Sequence, residues 1–233
     1  MKIRLGYVAI AKKLGKKITS SSTVTFTNYN KISTSEKKLE KLKAVSASNL
    51  KNLEKILNYN IENNIHFYRI TSALIPLVTH PEVGYWGHRE FLKKDFEYIG
   101  KLINESNMRV DTHPDEFNVI NSINPKVVEN TKINLLRQAQ WFEDFKYDLG
   151  KMVIHIGGAT NGKESGIERF ITNFKTFPEE VTSKIIIEND DKTYTAKETL
   201  FLCNELKRPM VLDIHHHNCN NANTNIYDLI PYI

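Results

Sequence analysis

Ile185-Ile186-Ile187-Glu188-Asn189-Asp190-Asp191 places three β-branched apolar residues directly before an acid, an amide and two further acids. A short apolar run bounded by polar residues reads as a buried strand. Here the chemistry begins where the strand stops. Three other stretches repeat the arrangement. Met108-Arg109-Val110-Asp111-Thr112 leads to His113-Pro114, and Lys151-Met152-Val153-Ile154 leads to His155 and then Gly157-Gly158. Val211-Leu212 leads to Asp213-Ile214-His215-His216-His217. Packing alone gives no reason for four apolar runs each to end in a candidate metal ligand. In a parallel β/α barrel the C-terminal strand ends converge on one mouth, where catalytic side chains sit.

Outward from these runs the chain alternates strand and helix. Strands are predicted at 3–8, 66–70, 109–112, 152–156, 185–188 and 211–214. Between them, residues 47–63 carry Leu50, Leu53, Ile56, Leu57 and Ile61 at helical spacing, and 87–103 carry Phe91, Phe96, Ile99 and Leu102. Further helices are predicted at 126–144, 165–174 and 195–206, the last ending before Pro209, and a final one from about Thr224 to Ile233. Residues 19–35, rich in Ser, Thr and Asn, read as part of a long first βα loop with a short helix or hairpin. Regular alternation calls for a parallel sheet with crossover helices. The count is six strands and about six helices, whereas a closed barrel needs eight of each. An open doubly wound sheet is the competing architecture, but no glycine-rich phosphate loop follows the first strand. The expected fold is therefore α/β, a TIM-type (β/α) barrel that is incomplete at about six βα units, in a single domain over residues 1–233.

The composition narrows the class. With 233 residues, 40% hydrophobic and 25% charged, this is the profile of an ordinary globular chain. No apolar stretch approaches the ~20 residues of a membrane span, and the N-terminus lacks a signal-peptide core. Cys203 and Cys219 have neither metal-motif spacing nor a disulfide framework, so the cytoplasm is the default compartment. The net charge of +5 favours a polyanionic partner such as DNA, or reflects solvated lysine-rich faces at Lys12-Lys13, Lys16-Lys17 and Lys37 to Lys43.

His113, His155, Glu188, Asp213 and His216 form the candidate centre. Imidazole mixed with carboxylate suits Mn, Zn or Fe better than Mg or Ca, which prefer all-oxygen shells. A carboxylate such as Glu188 can bridge two ions, and two-ion sites serve both phosphodiester cleavage and sugar isomerisation. In an extended segment Asp213, His215 and His217 share one face and His216 takes the other. If the strand stops near Ile214 that parity fails, so spacing alone leaves the choice of histidine open. His80, in Thr79-His80-Pro81, is a further candidate near the mouth, while His66 and His88 read as structural. Asn189, Asp190 and Asp191 read either as groups orienting the ligands or as cap and turn residues.

The motifs resemble the UV damage endonuclease family. The resemblance rests on Leu5-Gly6-Tyr7, Phe67-Tyr68-Arg69-Ile70-Thr71-Ser72, His113-Pro114 through Asn121-Ser122, Ile154-His155-Ile156-Gly157-Gly158, Glu188-Asn189-Asp190-Asp191 and Asp213-Ile214-His215-His216. It covers nearly the whole chain, in order. It implies a β/α barrel holding several metal ions, with Mn2+ as the supporting metal. It also implies an endonuclease that nicks double-stranded DNA immediately 5′ of cyclobutane dimers and 6-4 photoproducts, starting excision repair. By motif, His113, His155, Glu188, Asp213 and His216 correspond to metal ligands, so the resemblance selects His216. Glu188 and His155 are the expected catalytic pair. Glu116 and Phe117 correspond to the pair that wedges into DNA opposite the lesion, where an amide commonly stands in place of Glu116. Tyr7 corresponds to an aromatic that approaches the damaged nucleotides, although a core tyrosine at the end of the first strand is an equal reading.

Family members continue with a Lys-x-His motif, a further histidine and a glutamate that this sequence, ending at Pro231-Tyr232-Ile233, does not contain. The expectation is a chain lacking the units that close the barrel, in which the ion held by His113, His155 and Glu188 survives best. Two other readings stand beside the nuclease. One is a lesion-DNA-binding fragment without nuclease activity. The other is a sugar isomerase or epimerase of the same barrel type, which needs no DNA wedge. UV-damaged duplex DNA is the expected partner, with no membrane and no obligate protein partner.

Overall fold

Parallel strands followed by helices appear where the apolar runs predict them. The computed structural model describes residues 3–233, and their contacts divide into two compact units. The first comprises residues 3–113 together with Gln140–Gly150; the second comprises Pro114–Ala139 and Lys151–Ile233.

The first unit contains β1 (Gly6–Val8), α1 (Phe26–Asn30), α2 (Ser35–Glu62), β2 (Phe67–Ile70), α3 (His88–Phe91), α4 (Lys93–Glu105) and β3 (Arg109–Thr112). Its strands pair in parallel, with Tyr7 opposite Tyr68 and Tyr68 opposite Val110. Most of the predicted apolar stripes form the core, but Ile61 and Phe91 are exposed and Leu102 is half-buried, with Ile103 buried beside it. Leu50, Leu53, Ile56 and Leu57 of α2 and Phe96, Ile99 and Ile103 of α4 are buried, as are Tyr68, Ile70 and Val110 of the strands. Each such side chain contributes roughly 1.5–3 kcal/mol by leaving water. Close packing also fixes Gly100 of α4, because a Cβ there would run into the Phe145 carbonyl. The helix α2 starts twelve residues before its predicted first turn. Thr34 caps it by accepting the Lys37 N–H at 3.3 Å.

Helix α5 (Pro125–Asp144) begins in the second unit and ends in the first. The second unit continues with β4 (Lys151–Ile154), α6 (Lys163–Phe174), α7 (Glu179–Thr182), β5 (Ile185–Glu188), α8 (Ala196–Leu206), β6 (Met210–Val211) and α9 (Ile214–Cys219). These strands are also parallel, with Val153 opposite Ile186 and Glu188 opposite Val211. All four residues of β5 are buried, which is why they read as a continuous apolar run up to Glu188. A full capping box starts α8: Thr195 Oγ1 accepts the Glu198 N–H, and Glu198 accepts the Thr195 N–H at 2.8 Å.

Further boundaries differ from expectation, β4 among them, which ends at Ile154. Residues 3–5 lie outside β1, and Ile3 and Leu5 are exposed. The sixth strand stops at Val211, since Asp213 caps a helix instead of continuing the strand. The final helix expected from Thr224 is two 3-10 turns, Ile226–Asp228 and Ile230–Tyr232. The second carries Pro231, whose ring removes a backbone donor. Among the described residues no helix is long and apolar enough to cross a membrane.

Candidate metal centre

Within the second unit, β4, β5 and β6 deliver His155, Glu188 and Asp213 at the same end of a parallel ladder. His155 follows the last residue of β4, and Glu188 is the last residue of β5. The imidazole Nε2 of His155 stands 3.6 Å from Oε2 of the buried Glu188. The other ring nitrogen, Nδ1, lies 3.2 Å from the Glu188 carbonyl oxygen. A carbonyl only accepts, so Nδ1 donates to it and Nε2 is the ring nitrogen turned toward the carboxylate. An imidazole nitrogen beside a carboxylate oxygen is a donor set that fits a divalent metal of the Mn or Zn kind, with a main-chain carbonyl orienting the histidine ring.

His216 is built in the same way. The chain leaves β6, and Asp213 turns it into α9 by accepting the His216 N–H at 2.9 Å. This i to i+3 relation puts both residues on one helical face, which is what strand parity could not anticipate. Nδ1 of His216 donates to the Asn189 carbonyl at 2.8 Å, and its ring centroid lies 5.5 Å from that of His155. His215 is exposed. His217 is buried, with Nε2 3.1 Å from the Thr224 carbonyl, so both are placed away from this role.

Asn189, read either as an orienting or as a capping residue, bonds to the backbone of the residue that caps α9. The fully buried amide accepts the Asp213 N–H at 2.8 Å and donates to the Asp213 carbonyl at 3.0 Å. It thereby ties the end of β5 to the start of α9. Asp190 does turn work instead, its carboxylate accepting backbone N–H groups of Lys192, Thr193 and Tyr194. Asp191 is exposed.

The loop after His155 is fixed by residues that sequence reasoning did not single out. Gly157 has φ +107, and a Cβ there would meet the Asn121 amide oxygen. The Gly158 carbonyl accepts from Asn121 Nδ2 at 2.7 Å and from the Tyr194 hydroxyl at 3.2 Å. Arg169 donates to the Asn121 carbonyl at 3.0 Å. The adjacent Gly157-Gly158 pair is the sequence signal for this close approach.

The pair expected to wedge into DNA sits in the loop before α5. Glu116 and Phe117 are exposed, with 62% of Phe117 accessible, while the loop beneath them is anchored. Asn118 Nδ2 donates to the Asp115 carbonyl at 2.8 Å, Asn134 donates to Asn118, and the Val119 N–H meets Thr131 Oγ1 at 3.0 Å.

In the first unit His113 follows the end of β3 and is partly exposed. Next to it along the strand, the Asp111 carboxylate takes a two-pronged ion pair from Arg69, with Nε–Oδ1 at 2.9 Å. Tyr7 is half-buried. Its hydroxyl donates to Asn60 at 2.7 Å and its ring meets Tyr68 edge-on at 5.2 Å. Burial raises its pKa, partly offset by the Asn60 bond. His80 stacks on Phe26 with centroids 3.9 Å apart and accepts the Glu82 N–H on Nδ1. His88 is buried, as expected of a structural residue.

A family model described as UV-endonuclease UvdE matches residues 3–233. The chain belongs to this UV-endonuclease family. The UV DNA damage endonuclease of Bacillus mycoides is 37% identical over all of this chain and 73% of its own length. That of Halalkalibacterium halodurans is 36% identical over 94% of this chain and 68% of its own. The crystal structure of SacUVDE superposes on the whole chain with TM-score 0.89 and 31% identity, covering 76% of that protein. A D-psicose 3-epimerase from Clostridium cellulolyticum H10 matches 76% of the chain at TM-score 0.54 and 11% identity, which is a likeness of fold alone. Membership in the UV-endonuclease family makes DNA the substrate and a nuclease the class of enzyme.

Proposed function

We propose that this chain is a metal-dependent endonuclease that nicks duplex DNA immediately 5′ of UV photoproducts, both cyclobutane dimers and 6-4 lesions. The observation that supports metal dependence is the His155 Nε2 facing the buried Glu188 carboxylate at 3.6 Å. In this reading His155 and Glu188 hold a divalent ion, Mn2+ being the best match to mixed nitrogen and oxygen donors, and the family resemblance adds His113 as a ligand. Asp213 and His216 provide ligands for a neighbouring ion. Bound there, such ions supply an activated water and stabilise the leaving oxygen of the phosphodiester.

The chain's own residues set the geometry. The carbonyls of Glu188 and Asn189 aim the two imidazoles, and the Asn189 side chain holds Asp213 in place. Glu188 and His155 would be the catalytic pair, holding an ion that activates water for attack on the scissile phosphate. Phe117 stacks on bases exposed opposite the lesion, a contact worth ~1–3 kcal/mol per base. Glu116 flanks it as an acid and needs a donor partner on the DNA, because phosphates repel it. Tyr7 approaches the damaged nucleotides through its ring edge, its hydroxyl being committed to Asn60. His80 is carried as a further site residue by the family resemblance alone. The enzyme works in the cytoplasm on DNA without an obligate protein partner.

Nicking of supercoiled plasmid tests this directly. With Mn2+, irradiated plasmid is converted to the open circle and unirradiated plasmid is not, and EDTA abolishes conversion. Mapping the nick on an oligonucleotide with a single dimer places it on the 5′ side. Selective binding of the irradiated duplex with no nicking under any divalent metal would demote the chain to a binding protein.

A further inference from the structure

The excess of positive over negative charge in this protein lies at its beginning. Up to Ser35 the sequence holds seven basic residues, Lys2, Arg4, Lys12, Lys13, Lys16, Lys17 and Lys31, and no acid. After Ser35 there are 25 basic and 27 acidic residues, so the net +5 comes entirely from the first 35 positions. Four of the seven lie in one loop, Lys12-Lys13-Leu14-Gly15-Lys16-Lys17, which follows the C-terminal end of β1. The strands of the first unit are parallel, so this is the sheet end at which Tyr7 and His113 also lie.

The loop is a built shelf. Ala9 takes a left-handed conformation, φ +51, which is costly for a residue with a Cβ. Two bonds hold it there. Its N–H donates to the Arg69 carbonyl at 3.0 Å, and its carbonyl accepts the hydroxyl of the buried Tyr68 at 2.9 Å. Ala11 is buried, and a 3-10 turn over Lys12–Leu14 closes on Gly15, φ +78, through its N–H to the Lys12 carbonyl. The far side is pinned to α2, where Asn52 donates to the Thr19 carbonyl and Asn49 to the Ser22 carbonyl, at 2.9 and 2.8 Å. On this support all four lysines are exposed, and none has a carboxylate within ion-pair distance among the described residues. A solvated lysine face is normally interleaved with acids, as on α2, where Lys51 pairs with Glu54 at 2.6 Å. Four like charges within six residues repel one another, and a polyanion removes that cost.

We infer that Lys12, Lys13, Lys16 and Lys17 form a phosphate clamp that grips the DNA backbone at the mouth end of β1. This rests on the endonuclease reading and adds to it the element that supplies sequence-independent affinity. An anchored loop loses little conformational freedom on binding, so charge placed on it is well used.

The experiment compares the full chain, a variant with Lys12, Lys13, Lys16 and Lys17→Gln, and a charge-matched control with Lys51, Lys55, Lys101 and Lys146→Gln. Affinity for an irradiated duplex is measured against salt, with nicking of the same DNA in parallel. Each phosphate contact removed flattens the slope of log K against log salt by about 0.9, so losing two to four contacts changes it by about 2 to 3.5. If the lines meet near 1 M salt, the loop variant binds about 100-fold or more weakly at 0.1 M. Single-pair variants, Lys12/Lys13 and Lys16/Lys17, each give a partial change and guard against a folding defect. An unchanged slope in the loop variant, or an equal loss in the control, overturns the clamp. The unaltered chain's nicking of irradiated DNA judges the endonuclease reading separately. A chain that binds no DNA overturns both.

Discussion

Replacing Asn189 by leucine isolates the contact that joins the strand carrying Glu188 to the helix carrying His216. The side chain is fully buried and makes two bonds to one residue, donating to the Asp213 carbonyl at 3.0 Å and accepting its N–H at 2.8 Å. Leucine has nearly the same shape and no polar atoms, so both backbone groups of Asp213 lose that partner where water is scarce. The carbonyl still accepts the His217 N–H at 3.0 Å, so only the N–H is orphaned, at a cost of about 1–3 kcal/mol. For a chain of this length each kcal/mol lowers the melting temperature by about 2–4 °C, so a fall of at least about 2 °C is expected. The carbonyl that receives His216 Nδ1 belongs to the main chain and survives the substitution. His216 is therefore affected through the displacement of Asp213, and Mn2+ affinity is expected to fall by about 10- to 100-fold. Urea unfolding monitored by circular dichroism gives the first quantity and calorimetric Mn2+ titration the second. A leucine variant within 1 kcal/mol of the unaltered chain, binding Mn2+ equally well, would refute the view that Asn189 aligns the centre.

Three further outcomes are expected. Burial pushes the Cys203 thiol up to about 12, whereas Cys219 is exposed. An aromatic disulfide reagent at pH 8 should titrate one thiol in the native chain and two in denaturant, and two fast native thiols would contradict the packing around α8. Burial alone would raise the Glu198 pKa, but the Thr195 N–H and hydroxyl and the Lys163 ammonium hold it below the usual carboxylate range. A lowered folded pKa contributes stability above the ordinary value that is lost as pH falls through the folded one. Glu198→Gln should therefore lower the unfolding midpoint at pH 7 and leave it unchanged near pH 3, and an equal loss at both would show that the charge is irrelevant. Phe117→Ala removes a largely exposed ring, so the melting temperature should hold. Binding to irradiated duplex should weaken by about 5- to 150-fold, the equivalent of ~1–3 kcal/mol of stacking; equal affinity in a filter-binding assay would remove Phe117 from the interface.

What the sequence discloses and what it hides follow from the physics of each element. The strands β3 and β5 occupy their predicted spans because their apolar residues are buried and the polar break after them is sharp. The early start of α2 escaped because Lys37 to Lys43 dilutes the apolar stripe, and a single threonine hydroxyl at Thr34 sets the boundary. At the candidate centre the residues themselves were legible, since imidazoles and carboxylates at strand ends have few other uses. Their aim was not. The period changes from two to 3.6 within the three residues after Val211, so choosing among His215, His216 and His217 depended on whether Asp213 continues a strand or caps a helix. The groups that hold His155 and His216 are the carbonyls of Glu188 and Asn189, and a carbonyl is the same in every residue. Only the Asn189 side chain leaves a trace in the sequence. Holding both the N–H and the carbonyl of Asp213 requires a donor and an acceptor on one short planar group, and a carboxylate has no proton to give at neutral pH. A glutamate followed by an asparagine at the end of a buried strand is thus more than a ligand with a polar neighbour. In the proposed centre the first residue would offer its carboxylate to the ion, and its carbonyl receives one histidine. The second offers its carbonyl to the other histidine and its amide to the turn that brings it there.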